Sequence, residues 1–142
     1  MDINVSLNRL KVKKSVVKAT DFEKIEFDSR KVSAGDMFVA IVGTVSDGHD
    51  YIETAISAGA KIIVCERMPE KLHDGVSYVQ VESSSEALGI LASDYYGNPS
   101  SKLKLVGVTG TNGKTTIAGT LYNLTRKLGY KVGLFSTVKV IV

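Results

Sequence analysis

The sequence has no tryptophan, two prolines and one cysteine, Cys65, among its 142 residues. A single cysteine cannot form an internal disulfide, which excludes the disulfide-stabilised secreted class. No segment approaches the roughly 18 consecutive apolar residues of a membrane-spanning helix, and the polar start Met1–Ser6 is unlike a secretory signal. Since 44% of the residues are hydrophobic and 23% are charged, we expect a globular, cytoplasmic protein without a membrane partner.

Acidic residues are missing from the last part of the chain. Up to Ser100 there are 11 basic and 15 acidic residues, a net charge of −4, whereas Ser101–Val142 carries seven basic residues and no acidic one, a net charge of +7. A segment of one sign attracts anions, whether nucleotide phosphates, nucleic acid or an acidic partner. The aromatic residues of this segment are scattered and form no stacking platform, so we expect no nucleic-acid partner. The sequence does not indicate an oligomeric state.

Turn residues at Tyr96–Ser101 predict a boundary between two domains, 1–99 and 100–142. Before this boundary, short apolar runs alternate with helical patterns, which predicts an α/β domain with a parallel sheet, extended at an edge by strands from residues 7–27. The predicted strands are Met37–Val42, Lys61–Cys65 and Tyr78–Val81. The two predicted helices begin at an Asp50 cap and at the S-x-x-E capping box of Ser83, and Gly59 ends the first.

After the boundary the pattern starts again. We predict a strand at Leu103–Val108, a helix at Lys114–Leu128 and a strand at Lys131–Phe135, which together make one βαβ unit. One helix face carries Ile117, Leu121, Leu124 and Leu128. About 40 residues are too few for an independent fold of this kind, so we expect an incomplete second domain.

A glycine-rich loop, GVTGTNGKTT, joins the predicted strand 103–108 to the predicted helix. Its glycines permit a tight turn whose backbone N–H groups can bind phosphate oxygens, and the helix adds its positive dipole end. Lys114 would reach the β- and γ-phosphates, and the Thr115 hydroxyl would coordinate Mg²⁺. The common G-x-x-x-x-G-K-[ST] pattern has glycine where this chain has Val108. The alternative to a binding loop is a surface turn with an exposed lysine and no ligand. The predicted nucleotide-binding residues are Gly110, Thr111, Asn112, Gly113, Lys114, Thr115 and Thr116.

The loop resembles that of the Mur ligases, the ATP-dependent amide-forming enzymes of peptidoglycan precursor synthesis. Upstream segments agree with the same family, namely Asp28–Val32, Gly35–Ala40, Asp47–His49, Ala58–Ala60 and Tyr96–Ser100. Among the family, the type that adds the third peptide residue is the most similar. The type that adds D-Ala-D-Ala is an alternative, although its loop often has serine at the place of Thr111. A non-catalytic nucleotide-binding module is the other alternative.

The resemblance implies a Rossmann-like amino-terminal Mur ligase domain that holds the UDP end of the substrate, followed by the first βαβ of a P-loop ATPase domain. By the family pattern Ser29 would hydrogen-bond the uracil, and Thr44, Val45 and Ser46 would lie against the uridine diphosphate. Some members have histidine at the place of Thr44. Read without the resemblance, Asp28–Arg30 is an ordinary turn with a local ion pair.

The implied reaction uses ATP and Mg²⁺. The γ-phosphoryl group passes to the D-glutamate carboxylate of UDP-N-acetylmuramoyl-L-alanyl-D-glutamate, and the amine of meso-diaminopimelate or L-lysine attacks the acyl phosphate. Lys114 is the catalytic residue that this chain would contribute, because it neutralises charge on the transferring group. Since the other catalytic residues of the family lie beyond this sequence, we expect the chain alone to be inactive.

Three further residues receive structural interpretations. His49 is predicted to be a helix-entry residue, because the sequence places no carboxylate beside it by an evident pattern. His73 lies in a polar loop and is predicted to be solvated. Cys65, inside an apolar run, is predicted to be a buried hydrophobic residue and not a nucleophile. No metal site is expected from these residues.

Overall fold

The computed structural model describes residues 1–44 and 46–141. The chain divides into two compact units, the first spanning Met1–Lys102 and the second beginning at Leu103. The division lies slightly beyond the predicted boundary at residue 99, because a short 3₁₀ turn at Pro99–Lys102 remains with the first unit. Within the described residues, no helix has the length and apolarity needed to cross a bilayer.

A five-stranded sheet forms the centre of the first unit, in the order β1-β5-β4-β3-β2. Strands β2 to β5 are parallel, and β1 at the edge is antiparallel to β5. This arrangement confirms the predicted parallel α/β sheet and the edge strands from residues 7–27. The strands are β1 (Val12–Val16), β2 (Ile25–Glu26), β3 (Met37–Val39), β4 (Ile62–Cys65) and β5 (Ser77–Val81).

The central strands are buried on both faces, which explains their continuous apolar sequences. On one face Met37, Ile62 and Val64 pack in a cluster with Ala87 and Leu91. On the opposite face Phe38, Ile63 and Tyr78 pack with Ile52 and Ala55. The alternation of side chains along each strand therefore provides two core layers, one beneath each helix-covered face.

The helices of the first unit are α1 (Asn4–Leu7), α2 (Ile52–Ser57) and α3 (Ser84–Tyr95). The Ser83 side chain accepts a hydrogen bond from the Glu86 backbone N–H at 3.3 Å, as the S-x-x-E pattern predicts. The predicted Asp50 cap is wrong, because a 3₁₀ turn at Gly48–Tyr51 precedes α2 and is capped by Asp47. Gly59 follows α2 with φ of +105°, the left-handed conformation expected where a helix ends.

The second unit contains α4 (Lys114–Lys127) and a hairpin of β6 (Leu134–Phe135) with β7 (Val140–Ile141). The helix prediction is confirmed, but the predicted strand 103–108 is wrong, and the predicted strand 131–135 is reduced to one antiparallel pair. A strand forms only where a neighbour accepts its hydrogen bonds, and among the described residues none pairs with 103–108. Leu105 is 93% exposed. The predicted βαβ unit is therefore absent from the part of the chain that the structure describes.

Apolar side chains along α4 face solvent in this unit. Tyr122 is the buried residue of the helix, with the Arg126 guanidinium 5.7 Å from its ring centroid. The predicted apolar face consists of Ile117, Leu121, Leu124 and Leu128. All four side chains are exposed, and three of them are exposed by half or more.

Candidate functional site

The phosphate-loop candidate lies in the second unit, immediately before α4. Gly110 has φ of +146° and Gly113 has φ of +77°, both conformations that a side chain would strain. Gly113 is also the N-terminal cap residue of α4, where no side chain accepts a hydrogen bond from the first helical amides. These amides are therefore available to a ligand. Both glycines lie at positions where the backbone has a positive φ.

Lys114 folds back over this loop. Its ammonium group donates to the carbonyl oxygen of Gly110 and, at 3.2 Å, to that of Thr111. The structure thus brings Gly110, Thr111 and Lys114 together. Thr115 and Thr116 lie in the first turn of α4 with exposed side chains.

The charge around the loop is positive. The first turn of α4 contains no acidic residue, and its last turn carries Arg126 and Lys127. The helix dipole therefore keeps an uncompensated positive end beside the loop, which favours an anion. Thr115 offers a hydroxyl oxygen, a hard donor of the type that Mg²⁺ prefers. Because Ser101–Val142 has no carboxylate, this hydroxyl fits as one ligand of a metal that phosphate oxygens and water would also hold.

In the first unit, the predicted substrate residues follow two neighbouring parallel strands. Ser29 comes after β2 and is half-buried, and Thr44 and Ser46 come after β3 and are exposed. Parallel strands end at one edge of the sheet, so the structure places the three residues on the same edge. Ligands of open α/β sheets bind at this carboxyl edge. Val45, the fourth predicted residue, lies outside the described residues.

Ser29 begins a 3₁₀ turn, Ser29–Lys31, that an ion pair closes. The Asp28 carboxylate accepts hydrogen bonds from the Arg30 backbone N–H at 3.1 Å and from Nε and Nη2 of its guanidinium, each at 2.8 Å. These bonds lower the pKa of Asp28 to about 2. The ion pair read from the sequence is therefore present, and it fixes the turn that carries Ser29.

His49, which the sequence predicts only as a helix-entry residue, lies at the same edge, against the residues that follow β4. His49 Nδ1 lies 2.6 Å from Oδ1 of Asp47, and Nε2 accepts the backbone N–H groups of Glu66 at 2.9 Å and Arg67 at 3.2 Å. Because Nε2 accepts, the ring proton is on Nδ1 and is donated to Asp47. Hydrogen bonds from the backbone and ring of His49, then from Arg67, hold the pKa of Asp47 well below its usual range.

Glu66 extends these contacts to α3. Its Oε1 accepts from the backbone N–H of Ser84 at 2.8 Å and from its hydroxyl at 2.7 Å. These bonds lower the pKa of Glu66. The Ser84 hydroxyl in turn accepts from the Val42 backbone N–H at 3.4 Å. The residues after β3 and β4 and the start of α3 therefore form one hydrogen-bonded group.

The sequence interpretation of the histidines was incomplete. His49 does enter a helical turn, but a carboxylate lies beside it, and the Asp-x-His spacing was the signal that could have shown this. His73 was predicted to be solvated, whereas its Nε2 lies 2.9 Å from Oε2 of Glu53. Cys65 is fully buried, as predicted, and burial raises its pKa to about 11. Among the described residues, no three His, Cys, Asp or Glu side chains form a group that could hold a metal ion.

Comparison with known sequences points to one family. The family described as Mur ligase family, catalytic domain, matches residues 21–96. The UDP-N-acetylmuramoyl-L-alanyl-D-glutamate--2,6-diaminopimelate ligase of Bacteroides fragilis is 58% identical over 114 residues, which are 80% of this chain and 24% of that protein. The Clostridium botulinum protein of the same name is 45% identical over 140 residues, 97% of this chain and 29% of that protein. The chain spans about a quarter of the length of these relatives.

Solved structures of Mur ligases are also similar to this chain. MurF ligase from Thermotoga maritima in complex with ADP is 38% identical and superposes with a TM-score of 0.51, over 74% of this chain and 23% of that one. A second crystal structure of MurF, from Acinetobacter baumannii, is 25% identical with a TM-score of 0.57, over 89% of this chain and 26% of that one. The similarity covers most of this chain and a small part of each neighbour.

Proposed function

Because this chain belongs to the Mur ligase family, we propose that it is the amino-terminal part of a ligase that adds diaminopimelate to UDP-N-acetylmuramoyl-L-alanyl-D-glutamate. In this proposal the first unit, close to predicted domain 1–99, holds the UDP end, and the second unit is the start of an ATP-binding domain. The names of the relatives support diaminopimelate over L-lysine, the choice that the sequence left open. The proposal includes the predicted cytoplasmic location.

One observation carries the substrate part of the proposal, namely that Ser29 follows β2 while Thr44 and Ser46 follow β3, its parallel neighbour. A uracil ring at Ser29 and a diphosphate beside Thr44 and Ser46 would then occupy the carboxyl edge of one sheet. The Asp28–Arg30 pair holds the Ser29 turn in place before a ligand arrives. A ligand at Ser29 would then bind with little rearrangement of this turn.

The nucleotide part of the proposal rests on the loop before α4. ATP, when bound, supplies the phosphoryl group that activates the substrate carboxylate. The backbone amides of Gly110–Gly113 and of the first turn of α4 would bind its phosphate oxygens. The Lys114 ammonium group would then hydrogen-bond to these oxygens in place of the carbonyls of Gly110 and Thr111. Thr115 would supply a hydroxyl ligand for Mg²⁺, with Thr116 beside the phosphates. Lys114 then acts by neutralising charge on the phosphate groups.

A ligase that adds D-Ala-D-Ala is the second candidate. MurF is the ligase of this type, and the similar solved structures are MurF proteins. Their sequence identities of 38% and 25% are lower than the 58% identity of the diaminopimelate-adding relative. Thr111 also favours the first candidate. A non-catalytic nucleotide-binding module is the remaining alternative.

The experiment that tests the substrate assignment is a calorimetric titration of the chain with UDP-N-acetylmuramoyl-L-alanyl-D-glutamate. We expect saturable binding, weakened about tenfold by Ser29→Ala, as for loss of one hydrogen bond to a ligand. Ser57→Ala is the matched control, because Ser57 is an exposed residue at the end of α2, which leads to the opposite edge of the sheet. Absence of binding by a folded chain, or equal effects of the two substitutions, would contradict the assignment.

A further inference from the structure

His49 is the histidine at the carboxyl edge of the five-stranded sheet, and substrate binding by Ser29, Thr44 and Ser46 assigns it no role. Its side chain is only 8% exposed, although it lies in a turn and its ring contacts polar groups. Both ring nitrogens are used, Nδ1 toward Asp47 and Nε2 toward the amides of Glu66 and Arg67. A ring buried with both nitrogens satisfied has one orientation and one tautomer.

The segment just before His49 is the loop that carries Thr44 and Ser46. The backbone closes at its base, where Gly48 donates its N–H to the Ile41 carbonyl at 2.8 Å and Val42 pairs with Asp47. Nearer the tip, Gly43 donates to the Ser46 carbonyl at 3.1 Å. The described residues on the two sides of the loop thus pair as a narrow hairpin, and Asp47 lies at its base, directly before the 3₁₀ turn Gly48–Tyr51.

Asp47 is held from three directions. Its carboxylate accepts from the His49 backbone N–H at 3.0 Å, from the His49 ring and from the Arg67 guanidinium. Arg67 is largely exposed and flexible by type, whereas the His49 ring is buried and fixed to the end of β4. The ring therefore joins the base of the hairpin to the central strand of the sheet.

We propose that His49 is a positioning residue that acts through Asp47 to hold the Thr44 and Ser46 hairpin in the conformation that binds the uridine diphosphate. This proposal rests on the proposed function of the first unit. A loop ordered before the ligand arrives loses less conformational entropy on binding. His49 touches no substrate in this scheme, and its effect on affinity passes through the Asp47 carboxylate.

Two conservative variants separate the ring's two contacts. In His49→Asn, the side-chain amide can still donate to Asp47 from the place of Nδ1, but it cannot reach the amides of Glu66 and Arg67. In His49→Gln, the side-chain oxygen can accept those amides from the place of Nε2, but the donor to Asp47 is lost. The Glu66 amide is partly buried, and leaving it without an acceptor is destabilising, so the asparagine variant should be the less stable of the two.

The test measures thermal stability and affinity for both UDP and UDP-N-acetylmuramoyl-L-alanyl-D-glutamate in wild type, His49→Asn, His49→Gln and His49→Ala. If His49 links Asp47 to the end of β4, each variant breaks one of the two contacts, so His49→Asn and His49→Gln both weaken binding of both ligands about tenfold or more, by similar factors despite their different stabilities. His73→Ala, which removes the other histidine, should leave the affinity unchanged.

Affinity that follows stability, with asparagine worse than glutamine, would assign His49 a purely structural role and overturn the proposal. Wild-type affinity in every variant would also overturn it, and both results would leave the proposed function in place as long as wild type binds. Failure of the folded wild-type chain to bind either ligand would overturn the proposed substrate site together with this role. Because the conclusion depends on the asparagine and glutamine variants, it stands even if His49→Ala does not fold.

Discussion

The carboxylate of Glu66 accepts both the backbone N–H and the hydroxyl of Ser84, at 2.8 and 2.7 Å. Ser84 is the first residue of α3 and is fully buried, and Glu66 directly follows β4. The bond pair therefore joins the end of a central strand to the start of the longest helix in the first unit. A negative charge at this place also interacts favourably with the helix dipole.

We expect Glu66→Ala to lower the free energy of unfolding by about 2 kcal/mol at neutral pH, since hydrogen bonds to a charged group are worth roughly 1.5–3 kcal/mol. Urea denaturation followed by circular dichroism measures this loss. Glu86→Ala is the control, because Glu86 is a carboxylate in the first turn of the same helix whose one ion pair, with Lys11 at 3.1 Å, is exposed and contributes little. Equal losses in the two variants would show that the Glu66 contacts add nothing specific.

The pH dependence of the same contact has a defined sign. The pKa of Glu66 is lowered in the folded state, first by the backbone and then by the side-chain hydrogen bond from Ser84. Its contribution is therefore complete above the unfolded pKa of about 4.3 and is lost as the pH falls through the folded value. We expect the stability difference between wild type and Glu66→Gln to shrink as the pH falls below the unfolded pKa of about 4.3. A difference that grows on acidification would contradict this account.

Two glycines should respond oppositely to alanine. A Cβ on Gly48 would lie 2.6 Å from the Ile41 backbone nitrogen and 2.8 Å from its oxygen, so we expect Gly48→Ala to cost about 1–3 kcal/mol of stability. A Cβ on Gly89, inside α3, would meet nothing within 4 Å. Gly89→Ala should therefore stabilise the chain by about 0.5–1 kcal/mol. Thermal melts of both variants measure the contrast, and a neutral Gly48→Ala would mean that the hairpin base can shift.

Local sequence patterns were sufficient where burial or backbone conformation decides the structure. Ile62–Cys65 is a strand because the run is buried on both faces, and α4 begins at Lys114 because Gly113 takes a left-handed conformation just before it. The positive φ of Gly110 and Gly113 likewise agrees with the tight turn that the glycine spacing predicts, whereas phosphate binding by this loop stays a prediction.

Contacts between distant residues could not be predicted in this way. His49 meets the amides of Glu66 and Arg67 across 17 and 18 positions of sequence, and no local periodicity carries that information. The predicted strand at 103–108 is wrong for a related reason. An apolar run shows that a strand is possible, but it does not show that a neighbouring strand is present to pair with it. The contacts of His49 with Glu66 and Arg67 at the carboxyl edge therefore required the three-dimensional structure, whereas Ser29 was proposed from a family pattern.

Cys65 offers a reporter for opening of the first unit. It is the sole cysteine, fully buried on the face covered by α2, and its pKa is raised to about 11 by burial. Since the thiolate is the reactive form, we expect reaction with an aromatic disulfide reagent at pH 8 to be slow in the native chain and stoichiometric in denaturant. The rate should rise with urea as the folded fraction falls. Prompt labelling without denaturant would show that β4 is accessible in the native state.

The last prediction concerns charge at the phosphate loop. Lys114 places its ammonium group over the carbonyls of Gly110 and Thr111, and a charge-assisted bond to a phosphate oxygen would be worth roughly 1.5–3 kcal/mol. Lys114→Ala should therefore weaken binding of Mg-ATP about tenfold or more, measured by displacement of a fluorescent ADP analogue. Lys127→Ala removes the same charge from the other end of α4 and should change affinity far less. If the two variants bind equally, the loop attracts nucleotide only through the general positive charge of the segment; if wild type binds none, the second unit as it stands does not form the nucleotide site.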